Sequence, residues 1–227
     1  MSRLVELFRE AFSAGMEPAH TEAESRTAFR QKMAARYTEG TLQRLLEGGD
    51  VEARMAAAVA LGMDGTMRSN AILAARLHDS EPAIRRESAS ALWAIWFRAE
   101  GEWMQQELER LSRLPDLNQA LRGLTALIHQ TPTFAEAINQ RAIVYFRMGE
   151  FKRSSVDCEK VLKLNSFHFG AQAGLGQCLL KLNKPRVALN AFRRALRINP
   201  GLEDVSRMVR ELEDALGEGG TRDKREG

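Results

Sequence analysis

Leu162-Lys163-Leu164-Asn165 returns 34 positions later as Leu196-Arg197-Ile198-Asn199, and Ala137 returns at the same distance as Ala171. A period of that length fits one helical hairpin, a unit that cannot bury its apolar face alone and does so against its neighbours. Such stacks present extended surfaces to partners more often than they build catalytic pockets.

Working outward, the chain has 227 residues, of which 44% are hydrophobic, enough for one sizeable folded domain or two small ones. No window approaches the ~18 consecutive apolar residues of a membrane helix. The start, Met1-Ser2-Arg3-Leu4-Val5-Glu6, lacks the unbroken apolar core of a secretory signal, so a cytoplasmic protein is expected. Cys158 and Cys178 fall inside helical patterns with no Cys-x-x-Cys or Cys/His grouping. That usage fits a reduced compartment, argues against zinc and reads as small core fillers. Net charge is +3, but residues 141–200 hold 12 Lys+Arg against 3 Asp+Glu, leaving the remainder with 21 against 27. An asymmetry of this kind points to an acidic partner only if the cations share a face.

The 34-residue register resembles the tetratricopeptide repeat, two helices per unit with a small residue where they cross. Against the family pattern one unit supplies Ile138, Arg141, Ala142, Tyr145, Ser154, Cys158 and Ser166. The next supplies Gln172, Leu175, Gly176, Leu179, Ala188, Phe192 and Pro200, with Arg141 and Gln172 departing from the apolar types. A degenerate unit occupies residues 101–134, with Leu108 in place of the small crossing residue and Ala120, Ile128 and Pro132 in register. Asp116-Leu117-Asn118-Gln119 and Thr133-Phe134-Ala135-Glu136 read as capping boxes that start helices just after Asp116 and Thr133. Pro185 suits a first helical position, where its missing N–H costs nothing.

A second repeat occupies the first half: Leu42, Leu46, Arg54, Ala58 and Leu61 recur 31 positions on as Leu73, Leu77, Arg85, Ala89 and Leu92. These phrases resemble the short HEAT-like units of phycobilin lyases. Asp50/Arg54 and Glu81/Arg85 are spaced for i,i+4 ion pairs along the stack. Ala56, Ala57, Ala58 and Ala60 allow close helix contact. Trp93, Trp96, Phe97, Trp103 and Met104 cluster where the two repeat types meet and read as core packing.

The expected fold is all-α, a right-handed solenoid of helical hairpins with HEAT-like repeats followed by tetratricopeptide repeats. Residues 1–40 form two capping helices, one carrying Leu4, Val5, Phe8 and Phe12 and the other opened by Thr21-Glu22-Ala23-Glu24, with a loop at Gly15-Met16-Glu17-Pro18 between them. HEAT-like repeats span 41–100 and tetratricopeptide repeats 101–200. A capping helix covers 201–217 on the stripe Val205, Val209, Leu212 and Leu216, and 218–227 is a disordered tail.

No catalytic constellation is legible. His20, His78, His129 and His168 show no metal-ligand spacing, and Glu22/Glu24 and Glu107/Glu109 point to different sides of a helix. No cofactor, metal or catalytic residue is expected. The tetratricopeptide resemblance implies instead that first helices line a concave groove for a peptide or partner helix. Matched positions are Glu136, Asn139, Gln140, Ile143, Phe146 and Arg147 in one unit, and Gly170, Ala173, Gly174, Gln177, Leu180 and Lys181 in the next. The family's carboxylate clamp is disfavoured, because Gly170 and Gly174 stand where its cations would be. The expected function is a noncatalytic adaptor for a protein or peptide partner. Alternatives are nucleic-acid or acidic-protein binding through Lys152, Arg153, Lys160, Lys163, Lys184, Arg186, Arg193, Arg194 and Arg197, association with a second copy, and a lyase-like HEAT protein.

Overall fold

The computed structural model describes residues 3–12 and 22–218. The loop at residues 15–18, the Thr21 cap and the tail beyond 218 lie outside them. The described residues form thirteen α-helices and two 3-10 turns, with no strand among them. They divide into two compact units, Met1–Trp96 and Phe97–Gly227.

In the first unit α1 (Arg3–Phe12) packs on α2 (Glu22–Ala34) and α4, with the rings of Phe8 and Phe12 4.8 Å apart and Phe29 within 5.8 Å of both. Next come α3 (Glu39–Gly48), α4 (Val51–Asp64), α5 (Asn70–Ala75) and α6 (Pro82–Phe97). The starts of α3 and α5, and those of α4 and α6, are separated by the period of the first-half repeat. The alanine run makes α4 narrow enough to be buried all round: Ala56, Ala57, Ala58 and Ala60 are fully buried. At Gly62 a Cβ would lie 3.2 Å from that of Ala91, so α4 and α6 approach closely there.

The expected i,i+4 pairs do not form. Asp50 is instead the N-cap of α4, accepting from the Ala53 N–H at 2.8 Å, because an orphan helix amide is a better-placed partner. Arg54 grips buried Asp79 through two bonds of 3.0 Å, and Arg85 donates to the carbonyls of Asp79 and Ser80. The tryptophans also differ in burial. Trp96 is buried and donates to Asn70 at 2.8 Å, with Trp93 edge-on to it, whereas Trp103 is 60% exposed and is no core residue.

The second unit contains α7 (Glu102–Ser112), α8 (Leu117–Gln130), α9 (Ala135–Arg147), α10 (Phe151–Leu164), α11 (Phe169–Lys181), α12 (Pro185–Ile198) and α13 (Glu203–Ala215). The starts of α8, α10 and α12 are spaced by the hairpin period read from the sequence, as are those of α9, α11 and α13. The turn chemistry repeats too: Gly149 and Asn183, at the same place in successive hairpins, both adopt positive φ (79° and 57°) after a first helix, and Asn is a residue that tolerates this conformation. Asp116 caps α8 by accepting from the amides of Asn118 and Gln119, and Pro185 opens α12. Thr133, in contrast, does not cap α9, which begins at Ala135 with no side-chain cap, because Glu136 is turned into the core.

Two apolar clusters hold this unit. One joins Leu108, Leu111, Leu124, Phe134, Ile138 and Val161 across α7–α10, and the other joins Leu189, Phe192, Val205 and Val209 across α12 and α13. Burying a side chain of this size contributes roughly 1.5–3 kcal/mol each, and these faces are what bind one hairpin to the next.

Candidate functional site

The first helices α9 and α11 are fixed by buried polar contacts. Arg141 of α9 makes a two-pronged ion pair with Asp157 of α10, at 2.7 and 2.8 Å, with both side chains largely enclosed. This answers the departure of Arg141 from the apolar pattern, since the matching positions in the next hairpin are Leu175 and Ala191. Gln172 is accommodated likewise, donating to the Ala191 carbonyl at 3.3 Å from a buried position. At the crossings, Ser154 donates to the Ala142 carbonyl at 2.8 Å and accepts from the Cys178 thiol at 3.1 Å, tying α9, α10 and α11 together. A Cβ on Gly176 would stand 2.5 Å from the Phe192 ring, so only glycine fits that crossing. Cys158 and Cys178 are buried and unbridged, and the hydrogen bond with Cys178, together with burial, pushes the Cys158 thiol well above its ordinary range.

His168 and Glu136 form a fully buried pair at 2.8 Å between α11 and α9. His168 Nδ1 accepts from the Ala171 N–H at 3.0 Å as the N-cap of α11, which leaves the proton on Nε2 to donate to Glu136. Glu136 also accepts from Asn139 at 3.1 Å and Gln140 at 2.7 Å.

These contacts change the expected groove. Glu136 and Asn139 are buried and mutually bonded, so they are internal supports and not open contact residues. Ala173 and Leu180 pack against the α12–α13 cluster, and a Cβ on Gly174 would lie 3.5 Å from Cys158 Sγ. Gly170 and Gln140 are half-buried, and Phe146 is half-buried with its ring 5.2 Å from Phe151. Arg147, Gln177 and Lys181 are exposed, as is Ile143 at 44%. The exposed set is thus the aliphatic Ile143, the amide of Gln177 and two cations at matched positions, Arg147 and Lys181, suited to hydrogen bonding and apolar contact and not to proton transfer. No group of three or more His, Cys, Asp or Glu among the described residues is placed to hold a metal ion. No described helix is long and apolar enough to cross a membrane.

The Arg141–Asp157 pair has a sequence signal, two opposite charges where the next repeat is apolar. The His168 cap has a weaker one, a histidine directly before a helix.

Comparison with known proteins matches residues 170–202 to the tetratricopeptide repeat model. A TPR repeat-containing protein of Rhizobium etli is 32% identical over 115 residues, 51% of this chain and 54% of that protein. Anaphase-promoting complex subunit 3 of Schizosaccharomyces pombe is 31% identical over 83 residues, 37% of this chain and 12% of that protein. The chain thus spans about half the length of the first relative and less of the second. Among solved structures, the first TPR of Spaghetti, bound to the HSP90 peptide SRMEEVD, aligns with TM-score 0.46 and 22% identity over 49% of this chain and 94% of that one. A thermophilic TPR protein of Thermus thermophilus aligns with TM-score 0.41 and 18% identity over 92% and 96%. Residues 170–202 thus match the tetratricopeptide repeat model, and the preceding hairpin of α9 and α10 has the same helix register.

Proposed function

We propose that the chain is a noncatalytic adaptor that receives a peptide or helix of a partner protein on the face formed by α9 and α11. The observation that carries this reading is Ile143, an aliphatic side chain 44% exposed in the middle of a first helix, where the pattern otherwise buries such residues. Gln140 and Arg147 flank it on α9, and Gln177 and Lys181 hold the places of Ile143 and Arg147 in the next hairpin, on α11. Amides here hydrogen-bond a peptide backbone, the isoleucine takes an apolar side chain, and the two cations favour acidic residues. The peptide carried by Spaghetti is not carried over, because Gly170 and Gly174 put no side chain where clamp cations would stand. Nucleic-acid binding is less supported, since Arg193, one of its expected contacts, is engaged by Glu213 at 2.9 Å and Glu218 at 3.3 Å.

The test is affinity capture from the native cell with wild type and an Ile143→Asp/Gln177→Glu variant of unchanged helicity. Partners captured by the wild type are expected to be lost from the variant. Retention of every partner refutes this surface.

A further inference from the structure

We infer that a second docking surface, the cleft between α12 and α13, takes an acidic amphipathic helix of a partner protein. The cleft holds about 420 Å³ and has Leu196 and Val209 on its floor, with Arg197 and Arg210 exposed at its rim. Arg210 donates to Ser206 at 2.9 Å, while Arg193 at one end is turned onto Glu213.

The repeat register says what shape belongs there. α13 begins and ends one hairpin period after α11, so Ser206, Val209, Arg210 and Glu213 occupy the positions of Gln172, Leu175, Gly176 and Leu179. On α11 that face carries the second helix of the hairpin: Gln172 bonds to Ala191, Gly176 lies against the Phe192 ring, and Leu179 joins the cluster around Leu189 and Phe192. α13 therefore presents the seat of a second helix, and among the described residues no helix follows it. A helical occupant is the shape this seat repeats.

Its chemistry follows from what differs. Where the preceding hairpins have Ala142 and Gly176 at the crossing, this one has Arg210, which prevents close backbone approach. The occupant is then held at greater separation, by carboxylates on Arg197 and Arg210 and by an apolar stripe on Leu196 and Val209. The chain contains a pairing of this kind, the Arg141–Asp157 bridge from a first helix to a second. The chain's own residues 219–227, Gly-Gly-Thr-Arg-Asp-Lys-Arg-Glu-Gly, fit poorly as occupant: they open on two glycines and have three cations to two anions.

The probe is a labelled synthetic helix of 14 residues, the length of α10 and α12, with leucines on one stripe and Asp/Glu flanking it, beside a twin with Lys at the acidic positions. Fluorescence anisotropy with the full chain is expected to show binding of the acidic helix only. Arg197→Glu/Arg210→Glu is expected to weaken it at least about tenfold, while Arg122→Glu on the exposed face of α8 leaves it unchanged. A chain ending at Glu218 is expected to bind as the full chain does. No binding of the acidic helix, equal binding of the Lys twin, indifference to the double reversal, equal loss on Arg122→Glu, or binding that appears only once the tail is removed would each overturn the proposal. Should the double reversal lower helicity, Arg210→Gln alone is read and is expected to weaken binding several-fold.

Discussion

Replacing Asp157 by alanine leaves the Arg141 guanidinium in a space where its side chain is only 17% exposed and its two bonds of 2.7 and 2.8 Å are gone. Breaking an enclosed ion pair by removing one partner costs roughly 3–5 kcal/mol. The lower end applies here, because Arg141 keeps some access to water and lies 5.8 Å from the Tyr145 ring centroid, which still attracts the cation. For a unit of this size ~3 kcal/mol corresponds to a fall in Tm of about 10 °C. The informative partner experiment is Arg141→Leu/Asp157→Ala, which installs the Leu175/Ala191 chemistry that the next hairpin already uses at the matched positions. Exchanging an enclosed pair for apolar side chains is often neutral or stabilising, so the double variant is expected within a few degrees of wild type. Thermal unfolding followed by circular dichroism at 222 nm, with each single variant alongside, gives the coupling directly. If the double variant melts as low as Asp157→Ala, the loss comes from packing around these positions and the ion-pair argument is refuted.

Gly176→Ala pushes a methyl to within 2.5 Å of the Phe192 ring, costing roughly 1–3 kcal/mol of overpacking against a helix-propensity gain of ~1 kcal/mol, so a Tm lower by a few degrees is expected. An unchanged Tm means that α12 moves aside freely. In the first unit burial opposes ionisation of Asp79, but bonds from Arg54 and the Glu81 amide outweigh it and hold its carboxyl below the usual range. A depressed value stabilises the fold above the unfolded pKa of ~4 and loses that contribution as pH falls through the folded value, so Asp79→Asn is expected to lower Tm at pH 7 and to converge on wild type in acid, once Asp79 is protonated in the folded state. Glu87 has the opposite sign, because burial raises its carboxyl with Arg26 only partly offsetting. Its ionised form destabilises the fold as pH rises past the shifted value, so Glu87→Gln is expected to raise Tm at pH 7 and to match wild type in acid. A pH-independent difference for either variant excludes titration as the cause.

The periods were legible because an apolar stripe at helical spacing and a fixed hairpin length leave direct marks in sequence. The starts of α10 and α12, and the caps at Asp116 and Pro185, need only local chemistry. What the sequence hid was the destination of polar side chains with more than one local option. Glu136 stands where a capping box opened by Thr133 requires it, yet it bonds to His168, which is 32 positions away and becomes its neighbour only when two hairpins stack. Arg54 likewise reaches past Asp50 to Asp79, 25 positions on. The surface suffered most from this. Register assigns a residue to a face, but whether Asn139 is reachable or buried depends on the hairpin that covers it.

The hydrogen-bonded sequence from Ala142 through Ser154 to Cys178 gives the molecule a built-in clock. Both thiols are buried where α10 and α11 pack together, so an alkylating reagent is expected to modify them mainly after those two helices part. The rate of modification in native buffer then reports how often one hairpin separates from the next, residue by residue, without any engineered label. A helix seated on α9 and α11 would slow that clock, turning ordinary thiol chemistry into an occupancy measurement for a partner whose identity need not be known beforehand.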